Sequence, residues 1–146
     1  MLNKIKNDLT EAMKSGEKTR IQALRNMMAA LKDTQINNKL ELSEDDIISV
    51  LSKQSKKIKE SISQYKIGNR QDLVEKENIE LMILNSYLPE PTSEKLIVKT
   101  IENAIVDNNA SNMSDFGVIM GKVMALLPKN TDGKIVQKYV KEKLNI

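Results

Sequence analysis

The sequence predicts an all-α protein, and three observations carry that expectation. Aromatic residues make up only 3% of the 146 residues, with no Trp and Phe116 as the sole Phe. Leu, Ile, Met and Ala fill the apolar positions instead, a composition that favours helix packing over β-sandwiches or barrels. No run alternates apolar and polar residues as a half-buried strand does. A chain of this length buries a real core, as one domain or as two small ones.

Four helices are expected ahead of Pro89-Glu90-Pro91. The first runs from about Asn3 to Ser15, with Leu2, Ile5, Leu9 and Met13 on one face and Gly16 as its stop. A second covers about Thr19 to Ile36, with Ile21, Leu24, Met28 and Leu31 inward, and Asn37-Asn38 ends it. Ser43 opens the third as N-cap, and Asp46 stands where a capping-box acid belongs. Carboxylates at Glu44, Asp45 and Asp46 complement the positive end of that helix, a better account of the cluster than a metal site. The helix continues to about Lys66, with Ile47, Leu51, Ile58, Ile62 and Tyr65 inward and Lys53, Lys56, Lys57 and Lys59 on a solvated face. Gly68-Asn69 breaks the chain, and Asn69 or Asp72 is available to cap a fourth helix reaching about Tyr87, with Ile79, Met82, Ile83 and Tyr87 inward.

Two prolines so close cannot sit inside a helix, so residues 89–91 form a linker between an N-terminal bundle, 1–88, and a smaller domain, 92–146. Thr92 or Ser93 caps a helix to about Asp107. Ser114 or Asp115 starts a helix that ends near Leu127, and Asp132 starts the last, ending near Leu144.

Composition also excludes chemistry. Without Cys there are no disulfides or thiolate metal sites, and without His the commonest general base and metal ligand is missing. Zinc hydrolases, Ser-His-Asp triads and Cys-His pairs are therefore ruled out within the chain. No catalytic residue, cofactor or metal is expected. An amphipathic helix follows Met1 directly, with no apolar signal core and no membrane span, so a cytoplasmic protein is expected. The net charge of +3 is a mild excess: 15 basic and 14 acidic groups in residues 1–91, then 8 and 6 in residues 92–146. Any RNA is expected to bind through a placed patch.

The densest local signal is Asp115 to Lys134, DFGVIMGKVMALLPKNTDGK, which holds three of the five glycines. Gly117 and Gly121 lie four apart, on one face of any helix they share, and leave room for another backbone or a ligand to come close. Each weakens the helix by roughly 1 kcal/mol relative to Ala, so compensating contact is expected. The first explanation is helix packing inside the small domain. Beyond Pro128, Asp132 caps a helix on which Lys134, Lys138 and Lys141 form one basic stripe at spacings of four and three.

On GVIMGKVMALLP followed by Asp132-Gly133-Lys134-Ile135-Val136, on Leu84-Asn85-Ser86-Tyr87-Leu88-Pro89, and on Ser43-Glu44-Asp45-Asp46 with its lysine-rich helix, the chain resembles the YqeY family, or GatB/YqeY-domain proteins. The resemblance covers nearly the whole chain. It implies an N-terminal helical bundle and a three-helix domain similar to the C-terminal tail of the GatB subunit of glutamine-dependent tRNA amidotransferase. That tail helps hold the tRNA body, and similar domains are attached to some glutaminyl-tRNA synthetases. Stand-alone members often carry an inherited label of carbon–nitrogen ligase with glutamine as amide donor. No Gly-rich amidase signature around a paired Ser and Lys and no P-loop supports that label here. Family members often have a basic, glycine-containing insertion after the proline; here Pro128-Lys129-Asn130-Thr131-Asp132 is shorter, with one Lys and no Gly.

Three functions follow as expectations. The first is a non-catalytic tRNA-associating module, with Lys122, Lys129, Lys134, Lys138 and Lys141 on phosphates and Gly117 and Gly121 allowing close approach. Sparse aromatics argue against single-strand binding by base stacking, and neither DNA nor membrane is an expected partner. The second is an adaptor docking on an amidotransferase or aminoacyl-tRNA synthetase subunit through the same glycine face. The third is an enzyme using Glu75, Glu77 and Glu80 beside Lys76, against which a charged helix face is the simpler account.

Overall fold

The computed structural model describes residues 1–145. Among these are seven α-helices and no strand: α1 Leu2–Ser15, α2 Lys18–Asn38, α3 Glu44–Ile67, α4 Gln71–Asn85, α5 Glu94–Asn108, α6 Phe116–Leu126 and α7 Gly133–Leu144. They pack as two units, Met1–Pro89 and Glu90–Ile146.

In the first unit local chemistry sets the helix ends. Gly16 stops α1 in the left-handed region at φ 75°, its N–H donating to Ala12 O at 2.9 Å. A side chain at that φ would be strained, so glycine is required here. Ser43 closes the expected capping box on α3: Asp46 N donates to Ser43 Oγ at 3.2 Å, and Ser43 N donates to Asp46 Oδ2 at 2.9 Å. Those bonds to Ser43 hold the Asp46 carboxyl below its usual range. Glu44 in the same turn pairs with the N-terminal amine at 3.5 Å. Neither Asn69 nor Asp72 caps α4, contrary to expectation. Asn69 is consumed by the α3–α4 turn at φ 56°, Arg70 becomes the N-cap without a side-chain cap bond, and Asp72 pairs with Arg70 at 3.2 Å.

Here α2 packs against α1, α3 and α4, and α3 against α4. Ile5, Leu24, Met27, Leu31, Leu51, Val74 and Leu84 are almost wholly buried in the core. Two expectations fail. Met13 is half-exposed and Ala12, one residue earlier and about 100° round the helix, takes the inward place where α1 packs on α2. On α4, Ile79 and Met82 are exposed while Val74 and Leu84 are buried. This helix carries two apolar stripes, and the one through Val74, Leu81 and Leu84 faces the core. Tyr87, past the end of α4, is buried as expected. Its hydroxyl donates to Asp8 Oδ2, and Lys4 Nζ lies 5.5 Å from its ring centre. Burial, reinforced by the Asp8 hydrogen bond, pushes its phenol up to about 12.

In the second unit α5, α6 and α7 each pack on the other two. Its core is Ile97, Ile101 and Ala104 of α5, Ile119 and Val123 of α6, Leu127, and Val136, Val140 and Leu144 of α7. The α7 trio recurs every four residues as one narrow stripe, with Tyr139 partly buried against the same core. Ser93, rather than Thr92, caps α5 by accepting from Leu96 N at 3.2 Å. Asn109 ends α5 at φ 49°, and Lys143 of α7 pairs with Glu102 of α5 at 2.8 Å.

Candidate nucleic-acid interface

The approach to α6 is built by Asn112. Its side chain accepts from Ser114 N at 3.0 Å, while Asp115 Oδ2 accepts from Ser111 N at 3.0 Å and Asn112 N at 3.3 Å. This capping box opens a short 3-10 turn, Met113–Asp115, that leads into α6, so the expected start at Ser114 or Asp115 lies inside that turn. Once α6 begins, Ile119 and Val123 face the core at 0% exposure. Helical geometry then turns Gly117, Gly121 and Ala125 to the opposite side, where all three are exposed.

The glycines do not serve packing inside this unit, which corrects the first explanation for them. A Cβ built on Gly117 or Gly121 meets no atom within 4 Å. Their helix-weakening effect is therefore not offset by any close contact within the chain. On the same helix Val118, next to the glycines, is 54% exposed, and Leu126, on the side towards α5, is 74% exposed. Glycine spacing points to neither, although Val118 directly follows Gly117 and Leu126 follows Ala125.

The lysines fall into separate groups. Lys134, Lys138 and Lys141 lie on α7 away from Val136, Val140 and Leu144, and all are exposed, a single stripe as the spacing implies. Lys141 Nζ sits 5.9 Å from the Phe116 ring centre, which places the stripe's last member beside Gly117 at the start of α6. Lys122 goes elsewhere: its Nζ donates to Asn108 Oδ1 across a groove of about 380 Å³ between α5 and α6, lined also by Thr100, Asn103, Asp107 and Leu126. Lys129 is exposed in the α6–α7 turn. That turn is tied down, with Thr131 N donating to Pro128 O at 3.0 Å, Thr131 Oγ1 2.6 Å from Thr92 Oγ1, and Asn130 Nδ2 donating to Glu90 O at 3.1 Å. Asp132 accepts from Lys134 N at 2.9 Å and fixes the first turn of α7. A hydrogen bond to Glu94 raises the Tyr139 phenol and links α7 to the start of α5.

The acidic residues of α4 do not form one cluster. Glu80 Oε1 accepts from Asn26 Nδ2 at 3.0 Å, and burial, with Glu80 close by, raises the Glu77 carboxyl. Glu75 is exposed on another side of the helix, while exposed Lys76 lies one turn before Glu80 on the same face and counters the rise at Glu77. Among the described residues no group of three or more Asp and Glu is placed to hold a metal ion, and no helix is long and apolar enough to cross a membrane.

The molecule is thus a helical bundle followed by a three-helix unit with an open glycine face and a lysine stripe. Residues 2–144 match the family model described as Yqey-like protein, and the chain belongs to that family. Among curated proteins it is similar to fungal proteins named "Altered inheritance of mitochondria protein 41, mitochondrial". It is 26% identical to the one from Pyrenophora tritici-repentis over 144 residues, 97% of this chain and 80% of that protein. With the Saccharomyces cerevisiae protein it shares 29% identity over 125 residues, 82% of this chain and 68% of that protein. The Vanderwaltozyma polyspora protein is 34% identical over 85 residues, 58% of this chain and 46% of that protein.

Proposed function

We propose that this chain is a non-catalytic module that associates with tRNA through its C-terminal unit, in the cytoplasm. The observation that carries the reading is the glycine face of α6, open among the described residues, together with the exposed lysines of α7, whose Lys141 lies over Phe116 at the start of α6. Gly117 and Gly121 let a sugar-phosphate backbone come close, and Lys134, Lys138 and Lys141 neutralise phosphates along it. Lys129 adds one charge from the tied turn, and Lys122 one from the other side of α6. Such contacts position RNA by shape and carry little sequence information. The test is binding to bulk tRNA and to duplex DNA across a salt series, for the wild type and for Lys134→Glu/Lys138→Glu. Tighter binding to tRNA, with a steep salt slope that the double variant flattens, supports the reading. Affinity untouched by the double variant removes the lysine stripe from it.

A second reading is favoured by Val118 and Leu126. Two exposed apolar side chains on the helix that carries the small-residue face suit a protein partner, such as an amidotransferase or aminoacyl-tRNA synthetase subunit, better than a phosphate backbone. Gly121→Phe then abolishes complex formation while the chain stays folded; retained complex formation argues against it. Carbon–nitrogen ligase activity with glutamine as amide donor, the family label, is the third reading. Nothing among the described side chains assembles a nucleophile with a base for it.

A further inference from the structure

The middle of α3 holds the strongest charge segregation in the first unit. Lys53, Lys56 and Lys57 stand at i, i+3 and i+4, so they share one face, and Lys59 and Lys66 follow on the adjoining one. All five are exposed, and Glu60 is the only acid between residues 53 and 66. Lys14–Glu11, Arg20–Glu17 and Lys143–Glu102 show the kind of local pair that this stretch lacks. Among the described residues none of the five α3 lysines has an ion pair; Glu60, one turn from Lys56 and Lys57, pairs with neither. Like charges one turn apart oppose helix formation, so this face stands against the local preference of the helix. The buried side of α3, through Ile47, Leu51, Ile58 and Ile62, is what holds it helical.

We propose that the Lys53–Lys56–Lys57 ridge is a second phosphate-tracking surface, which takes the backbone of helical RNA on the N-terminal unit. The proposal rests on the reading of the chain as an RNA-associating module, but uses residues that reading does not. Three features favour helical RNA. First, the exposed residues continuing along this side are Glu60, Ser63 and Gln64, all polar, and the one exposed large apolar side chain of α3 is Ile67 at its far end. A membrane-surface helix needs an apolar flank to insert, and this ridge has none. Second, Tyr65 packs against the core, so no aromatic stands on the ridge to stack splayed bases, which leaves backbone contact. Third, two of the three acids at the start of α3 are engaged, Glu44 with the N-terminal amine and Asp46 in the capping box, which leaves Asp45. These acids lie about 10–14 Å along the helix from Lys53, so phosphates are steered to the stretch beyond it.

The experiment compares full-length wild type, Lys53→Glu/Lys56→Glu/Lys57→Glu, and a control with the same charge change spread over Lys6, Arg25 and Lys39. Each is titrated with bulk tRNA and with a blunt RNA duplex across a salt series. Loss of three phosphate contacts lowers the log–log salt slope by about two to three and affinity at moderate salt at least about tenfold, with the control much less affected. Unchanged affinity and slope overturn the proposal, and so does an equal loss in the control, which means that binding follows net charge. Loss in the Lys134→Glu/Lys138→Glu variant alone sustains the proposed function and overturns this inference. Loss in the α3 variant alone does the reverse, and no binding of either RNA by the wild type overturns both. Should the Glu variant lose helicity, the triple Gln variant reads the same quantities, since Gln keeps the helix propensity of Lys. Binding to phosphatidylserine vesicles that the α3 variant abolishes, with RNA affinity intact, assigns the ridge to a membrane and overturns the proposal.

Discussion

Replacing both glycines of α6 by alanine separates stability from function. Neither Gly117 nor Gly121 has a positive φ, and an added Cβ meets nothing within 4 Å at either place. Alanine therefore brings its helix propensity without a clash. At Gly121, in the middle of α6, the gain is about 1 kcal/mol; at Gly117, the second residue of the helix, about half that. For a chain of this size the pair raises Tm by roughly 3–6 °C if the two units melt together, and by more if the smaller one melts alone. Far-ultraviolet circular dichroism during a thermal ramp reads the shift, and a tRNA titration on the same sample reads binding. The expected outcome is a more stable protein that holds RNA more weakly, because two methyl groups now stand where a backbone would approach. A lower Tm refutes the account of the glycine face as open and helical. A higher Tm with undiminished tRNA affinity refutes close approach at that face as the reason for the glycines.

Other outcomes follow from the same structure. Ser43→Ala removes the α3 capping box and lowers stability by about 1 kcal/mol in urea unfolding. Because the folded Asp46 carboxyl is depressed, its contribution is present above the unfolded value of 3.8 and lost as pH falls through the folded one; stability measured down an acid series declines less in Ser43→Ala than in wild type. The raised Tyr87 phenol has the opposite sense: its contribution is full below 10 and lost as pH rises towards about 12. In an ultraviolet titration of phenolate, Tyr87→Phe should therefore remove a tyrosine that ionises late, at about 12. Leu51→Ala and Ile119→Ala each leave a cavity in one core and cost about 2–5 kcal/mol, read by the same urea transitions.

What was legible in advance is the chemistry that acts within a few residues. Gly16, Ser43, Ser93 and Asp132 end or start helices through bonds that span two to four positions, so their residue types announce them. Facing was harder wherever a helix offers more than one apolar stripe. On α4 the stripe through Ile79 and Met82 competes with that through Val74 and Leu84, and only the packing partners α2 and α3 decide between them. Asn69 and Asp72 were both chemically fit to cap α4, yet the turn geometry took one and Arg70 the other. At the candidate interface the glycine spacing identified a face, but spacing cannot tell whether that face turns to a neighbouring helix or to water. Lys122 shows the same limit: adjacent to Gly121 in sequence, it is drawn to Asn108 on α5 rather than to the α7 stripe.

The clasp on the α6–α7 turn bears on how this unit can be moved between proteins. Its two ties reach back to Glu90 and Thr92, the first residues after the bundle, so the strap leading in also fastens the turn that carries Lys129. A graft cut at Glu90 takes both fastenings with it into a foreign chain. One cut at Ser93, at the helix cap where the eye places the start, leaves both behind and frees the turn.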